Sequence, residues 1–203
     1  MADVVVETKG EVTWIRLNRP ERMNSYDAEM ARELIAAVRG AADSGVIVIT
    51  GTGRAFCAGG YLANLQDPDA NALRSMFYGS LDVYEAIRTS PRPVIAAVNG
   101  AAAGGGNELV VACDLAIAVE SATFGQTGVR IGSAPVLGGT NFLSLTIGEK
   151  RAKEVAFMCR RYKARDALGM GWINAVVDND QLEAEVTRWA DELLVMSPRY
   201  LEI

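Results

Sequence analysis

Asn99-Gly100-Ala101-Ala102-Ala103-Gly104-Gly105-Gly106-Asn107-Glu108 follows directly on Val94-Ile95-Ala96-Ala97-Val98. The apolar run reads as a buried strand, and the glycines after it as an elbow from which a helix opens at Gly104-Gly105-Gly106 and carries Glu108. A helix that starts there points its free N–H groups and its positive dipole end at whatever sits before it. A second elbow stands upstream: Phe56-Cys57-Ala58-Gly59-Gly60-Tyr61-Leu62. Small residues let another backbone or a ligand approach closely, and glycine permits positive φ. Two N–H groups converging on one carbonyl oxygen would stabilise an anion formed there. Tight strand–helix packing alone would account for the same glycines.

Working outward, Val4-Val5-Val6 and Val12 to Leu17 read as a β-hairpin turning at Lys9-Gly10. Met30, Leu34, Ile35 and Val38 recur at helical spacing, which predicts an amphipathic helix from about Asp27 to Arg39. Val46-Ile47-Val48-Ile49-Thr50, closed by Gly51-Thr52-Gly53, reads as another buried strand, and Asp67-Pro68-Asp69 leads into a helix over about Leu73 to Arg88. After a further strand at Leu115 to Ala118, helices dominate: about Gly139 to Ile147, Glu149 to Cys159, Ala164 to Met170 and Gln181 to Val195. In the last, Leu182, Val186, Trp189 and Leu193 share a face. Strands alternating with helices predict an α/β fold with buried, largely parallel strands. No linker-like or low-complexity stretch divides the chain, so one domain over 1–203 is expected.

Composition narrows the chemistry. The chain has 203 residues, half of them apolar, with 20 Lys+Arg against 25 Asp+Glu and a formal charge of −5. Scattered, outnumbered basic residues do not make a nucleic-acid surface. Histidine is absent, which excludes Ser–His–Asp and Cys–His systems, HExxH zinc sites and any histidine base. Cys57, Cys113 and Cys159 lie far apart with no CxxC, which speaks against a disulfide framework or structural zinc, so no metal is expected. No GxGxxG follows the first strand and no GxxxxGK[ST] occurs, so the usual nucleotide loops lack support. The N-terminus has no basic and apolar leader, and no apolar run is long enough to span a bilayer; a soluble, cytoplasmic protein is expected.

Phe56-Cys57-Ala58-Gly59-Gly60, the stretch Asn99 to Leu109, Cys113-Asp114-Leu115-Ala116-Ile117-Ala118 and Phe124-Gly125-Gln126-Thr127-Gly128 together resemble the crotonase (enoyl-CoA hydratase/isomerase) superfamily, over essentially the whole chain. That resemblance implies a spiral of ββα repeats over about 1–140 with a helical part over 141–203. It also implies homotrimers or homohexamers, and an acyl-CoA substrate that brings coenzyme A as part of itself with no permanently bound cofactor. Nucleic-acid and membrane partners are not expected. It assigns the oxyanion-hole donors to the N–H groups of Gly60 and Gly105. Coenzyme A would be held near Ala58, Gly60, Tyr61 and Leu62, with Arg22 a candidate for its phosphates; a solvated surface arginine is the plain alternative for Arg22. In that family further helices follow the position of Ser197-Pro198-Arg199-Tyr200, so the C-terminal helical part is expected to be truncated or short.

Glu108 complements the dipole of its helix, or serves as a general base. By resemblance it matches one of the two glutamates with which enoyl-CoA hydratases handle water; the other falls at Gly128. The second half, Phe124 to Ser133 and Cys159 to Val177, resembles the subgroup of 1,4-dihydroxy-2-naphthoyl-CoA synthase and 2-ketocyclohexanecarboxyl-CoA hydrolase. There Thr127, Gly128 and Ser133 match positions near the substrate, although Ser133 also reads as a plain loop or capping serine. Tyr61 stands where the family usually has an acidic residue, and a tyrosine such as Tyr61 or Tyr78 is available to fill the place of the missing acid. Three functions are carried forward: an enoyl-CoA hydratase-like lyase, a C–C bond hydrolase or synthase on a cyclic ketoacyl-CoA, and a non-catalytic CoA-binding or assembly subunit.

Overall fold

The computed structural model describes residues 2–61, 69–135 and 141–201, without the side chains of residues 72, 73 and 76. The chain opens with a hairpin, β1 (Val4–Lys9) and β2 (Val12–Leu17), paired antiparallel around Gly10 at φ +62°. Helix α1 (Ala28–Gly40) follows, its start capped by the Asp27 carboxylate, which accepts from the N–H groups of Glu29 and Met30. Four spans of a central sheet then come in order: β3 (Val46–Gly51), β5 (Val94–Val98), β7 (Leu115–Val119) and β10 (Ala175–Val177). With the hairpin they form a six-stranded sheet ordered β1-β2-β3-β5-β7-β10, parallel from β2 onward.

β3 and β5 are buried along their whole length. That is why they read as unbroken apolar runs rather than as alternation: both faces are covered. Ile47, Ile49, Ile95 and Ile117 are fully enclosed, and each such side chain contributes roughly 1.5–3 kcal/mol by leaving water. Helices α1 and α2 (Ala70–Arg88) pack on one another, while α7 (Leu182–Leu194) lies across β5 and β7 through Leu182, Val186 and Ala190.

A second, smaller sheet was not legible as separate strands. It is ordered β4-β6-β8-β9 and built from β4 (Ala55–Cys57), β6 (Ala101–Ala103), β8 (Thr123–Gly125) and β9 (Tyr162–Lys163). Elements of two or three residues are too short to show a period, so the two glycine elbows looked like direct exits from β3 and β5. In the structure the chain leaves each long strand, makes one short strand of the second sheet, and only then enters its helix: β3-β4-α2, then β5-β6-α3, with α3 spanning Gly105–Ala112. This repeated ββα path is the expected spiral. The helical part follows as α4 (Phe142–Ile147), α5 (Glu149–Met158), α6 (Ala164–Gly169), α7 and α8 (Pro198–Leu201). The expected beginning of α4 at Gly139 lies outside the described residues.

Candidate active site

β4 and β6 pair in parallel, Ala55 with Ala101 and Cys57 with Ala102, so their C-terminal ends run out side by side. Gly59 adopts φ +92°, and a Cβ there would stand 2.8 Å from both the Ala103 oxygen and the Gly105 nitrogen. A Cβ on Gly106 would run into the Cys57 carbonyl. Glycine is required at these points because two backbones touch.

The contact fixes where two N–H groups face. Tyr26 forms a parallel bridge with Gly60: its N–H donates to the Gly59 oxygen and its carbonyl accepts from Tyr61 N–H, both at 2.9 Å. In such a bridge the intervening residue, Gly60, turns its own N–H away from Tyr26, and among the described residues nothing lies within 4 Å of the Cβ position it would carry. Gly105 is the first residue of α3, where a helix has no internal acceptor for its N–H. The two candidate donors thus leave adjacent strand ends, neither engaged in the backbone ladder among the described residues.

Glu108 lies one turn into α3, its N–H donating to the Gly104 oxygen at 3.0 Å, and is only 3% exposed. Two buried tyrosines feel its charge. Burial pushes the Tyr26 phenol far up, and the nearby Cys57 thiol and Glu108 carboxylate add to that; a bond from Ser80 opposes it. Tyr84 is pushed up to about 12, chiefly by burial, and its hydroxyl has no hydrogen-bond partner among the described residues. Both phenols are therefore neutral at physiological pH. Tyr61 and Tyr78 are the tyrosines the sequence offers for the place of the missing acid at Gly128. Tyr78 is 64% exposed, and Tyr61 is covered by Arg22, whose guanidinium carbon sits 4.3 Å from the ring centroid.

That Arg22–Tyr61 stack brings two of the expected CoA-binding side chains together. Ala58 lies beside them; its N–H donates to the Met23 carbonyl at 3.0 Å, which leaves its carbonyl as the backbone group to meet a ligand. Leu62 lies outside the described residues. The third strand end of the small sheet supplies the rest. Buried Gln126 accepts from buried Asn107 Nδ2 at 3.1 Å, tying β8 to the first turn of α3. Thr127 Oγ1 then stands 3.8 Å from the Cβ position of Gly104. Gly128 opens a 3-10 turn, Gly128–Ile131, closed by Ser133 N–H donating to the Gly128 oxygen at 2.9 Å. Thr127, Gly128 and Ser133 thus cluster beside the second elbow. A Cβ on Gly128 would meet the Ser133 carbonyl at 2.9 Å, so the turn would have to shift to accept a side chain where the second glutamate was sought.

Sequence reasoning missed the segment that positions the first elbow. Met23 and Asn24 have φ +52° and +56°. Asn24 is buried and its Nδ2 donates to the carbonyls of Thr52 (2.9 Å) and Ala55 (2.8 Å), while its own carbonyl accepts from Cys57 Sγ at 3.1 Å. This staple seats Tyr26 against Gly59 to Tyr61. Asparagine's tolerance of the left-handed region was the available signal. Among the described residues no group of three or more His, Cys, Asp or Glu is placed to hold a metal, and no helix is long and apolar enough to cross a membrane.

A two-sheet ββα spiral with paired glycine elbows defines the crotonase-like class. The family model for enoyl-CoA hydratase/isomerase matches residues 7–203. A solved enoyl-CoA hydratase subunit I from Geobacillus kaustophilus is 36% identical, with a TM-score of 0.93 over 99% of this chain and 79% of that one. An enoyl-CoA hydratase from Bacillus anthracis is 33% identical (TM-score 0.95, 99% and 80% covered), and Pseudomonas aeruginosa DspI is 30% identical (TM-score 0.95, 100% and 84%). The chain belongs to the enoyl-CoA hydratase/isomerase family, whose members are enzymes of acyl-CoA.

Proposed function

We propose that this protein is an enoyl-CoA hydratase-like lyase that holds the thioester oxygen of its substrate between the N–H groups of Gly60 and Gly105. The observation that supports this reading is the close approach of Gly59, the neighbour of Gly60, to the Gly105 nitrogen, with neither the Gly60 nor the Gly105 N–H in a backbone hydrogen bond among the described residues. Water adds to the β-carbon, the negative charge moves to the thioester oxygen as an enolate, and the α-carbon takes a proton from a bound water, which is replenished by the proton that Glu108 removed. A donor of this kind supplies about 2.7–4 kcal/mol to the transition state. Glu108, buried at the start of α3, takes the proton of the attacking water. Coenzyme A runs past Ala58, Gly60 and Leu62, with Arg22 and Tyr61 on its polar end. The acyl group lies toward Thr127, Gly128 and Ser133. The chain works as one domain, since its buried core is continuous from Val4 to Ala190, and it assembles in the cytoplasm as the trimers or hexamers of its family. No permanent cofactor takes part.

A second reading has one specific observation behind it. Gly128 has no side chain and sits in a turn that would have to shift to take one, so no carboxylic acid is supplied from that position. Enolate chemistry that does not need that acid, hydrolysis or formation of a C–C bond in a cyclic ketoacyl-CoA, fits the same oxyanion site. A non-catalytic CoA-binding subunit has no use for a carboxylate buried at Glu108. The test is a panel of linear enoyl-CoA and cyclic ketoacyl-CoA thioesters with mass-spectrometric readout. Water addition to a linear member supports the lyase, ring opening or closure supports the second reading, and binding without turnover of any member overturns both.

A further inference from the structure

The small sheet lays out a direction. β4, β6 and β8 are parallel, so their C-terminal ends share one edge, and β9 is antiparallel to β8, pairing Phe124 with Tyr162. The residues just before β9, Arg160 and Arg161, therefore reach the same edge. The approach is close: a Cβ on Gly125 would stand 2.8 Å from the Arg160 oxygen. Along this edge come the Arg22–Tyr61 stack and Gly60 at β4, Gly105 at β6, Thr127 at β8, and the arginines at β9.

Beyond Thr127 the edge opens into a groove of about 480 Å³ lined by Thr127, Arg130, Ile131, Cys159, Arg160 and Arg161. Among the described residues no acidic side chain lines it. Arg160 is paired with Glu154 at 3.2 Å, whereas Arg130 and Arg161 have no ion-pair partner among the described residues. In a chain of net charge −5, two unpaired guanidiniums facing one groove mark a place for an anion. Ile131, half-exposed, gives the groove an apolar wall.

We propose that this groove receives a carboxylate at the far end of the acyl chain, so that the substrates are CoA monothioesters of dicarboxylic acids. The inference rests on the acyl-CoA reading of the elbows. The distance agrees with it: the thioester lies between the ends of β4 and β6, the groove between β8 and β9. At ~4.8 Å per strand that separation is about 10 Å, a span for a medium-length chain passing Thr127. The coenzyme's own phosphates are the other source of an anion, and they are expected three strands away, at Arg22.

The experiment is equilibrium binding of unreactive saturated probes, adipyl-CoA, suberyl-CoA, hexanoyl-CoA, octanoyl-CoA and free coenzyme A, to the intact protein and to Arg130→Gln and Arg161→Gln. Both arginines are exposed, so the substitutions leave the core alone. The expected result is a preference of on the order of 10–100-fold for a dioic thioester over the monoacid of equal length, collapsing toward unity in either variant. Equal affinity for diacid and monoacid overturns the proposal. So does an equal loss for free coenzyme A in the variants, which places the CoA phosphates in the groove, or a change in oligomeric mass with the preference intact, which makes it a subunit contact. Failure of every thioester to bind removes the acyl-CoA reading and this inference together, whereas binding without preference removes only the inference.

Discussion

A side chain on Gly59 would place its first carbon 2.8 Å from the backbone nitrogen of Gly105, forty-six positions later in the chain. The elbows leave two paired strands, Cys57 of β4 beside Ala102 of β6, and the absence of a side chain at Gly59 lets their backbones come this close. The Tyr26 phenol closes the other side of Gly105, with Cζ 3.2 Å from that residue's Cβ position. The site is thus a backbone construction held from both flanks.

Gly59→Ala tests the spacing. It adds a methyl at the contact and forces a non-glycine residue to hold φ +92°, a strain of order 1–3 kcal/mol. A fall in kcat/KM of about 10²-fold or more is expected from misaligned donors, with a lowered melting temperature. A variant that melts lower yet keeps full kcat/KM would detach the elbow spacing from catalysis.

Gly105→Ala tests the opposite flank. The new methyl meets the Tyr26 hydroxyl, and Tyr26→Phe removes that hydroxyl while keeping the ring. The double variant is expected to recover part of the activity lost by Gly105→Ala, with a coupling of about 0.5–3 kcal/mol in a double-mutant cycle. Strict additivity in kcat/KM argues against the contact.

Glu108→Gln keeps the volume of a buried side chain and removes its basicity. Turnover is expected to fall ~10²–10⁴-fold, while the dissociation constant for a saturated acyl-CoA stays within a few-fold. Wild-type turnover in this variant takes Glu108 out of the mechanism.

Crotonyl-CoA hydration by the unaltered protein is expected to run roughly 10²-fold or more below a two-glutamate hydratase, the scale of a missing general acid. Gly128→Glu is expected to restore little of it, because its Cβ meets the Ser133 carbonyl at 2.9 Å and the turn must shift first. Stopped-flow loss of the enoyl absorbance measures both. A fast wild type shows that the gap at Gly128 does not limit the reaction.

Arg19 bridges the two ends of the first segment, bonded to Asp3 and, at 2.6 Å, to Asp27. Burial alone would raise the Asp27 carboxyl, but Arg19 and the N–H groups of Met30 and Glu29 outweigh it and hold the group below its ordinary 3.8. A carboxylate lowered in the folded state stabilises the fold above its unfolded pKa and loses that contribution as pH falls through the folded one. Asp27→Ala is therefore expected to cost ~1–2 kcal/mol at pH 7, through the lost cap and ion pair. The difference from wild type should shrink below pH 3.8. Urea titrations at pH 7 and pH 3 measure it; a difference independent of pH rules out the ion pair.

The long elements were legible because their causes are local. Asp27 caps α1, the unbroken apolar runs of β3 and β5 announce strands buried on both faces, and Leu182 with Val186 marks the buried stripe of α7. The glycine elbows and Glu108 were legible as types of residue in a pattern, and the lack of histidine narrowed the proton chemistry before any fold was known. Short strands such as β4 and β6 carry no period of their own. They exist because Ala55 pairs with Ala101 and Cys57 with Ala102, partners separated by more than forty residues.

What the sequence alone determined is therefore the chemistry available: backbone donors at glycines, one acidic group beside them, and no histidine or nucleotide loop. Only the tertiary structure decided which groups share a place. It set Gly59 against Gly105, stacked the exposed Arg22 on the Tyr61 ring, and put Tyr26 and Tyr84 within reach of the charge of Glu108. The reason is physical. Residue type and local spacing follow from covalent neighbours, whereas contacts between strand ends follow from sheet order, which is set by burial of the whole core.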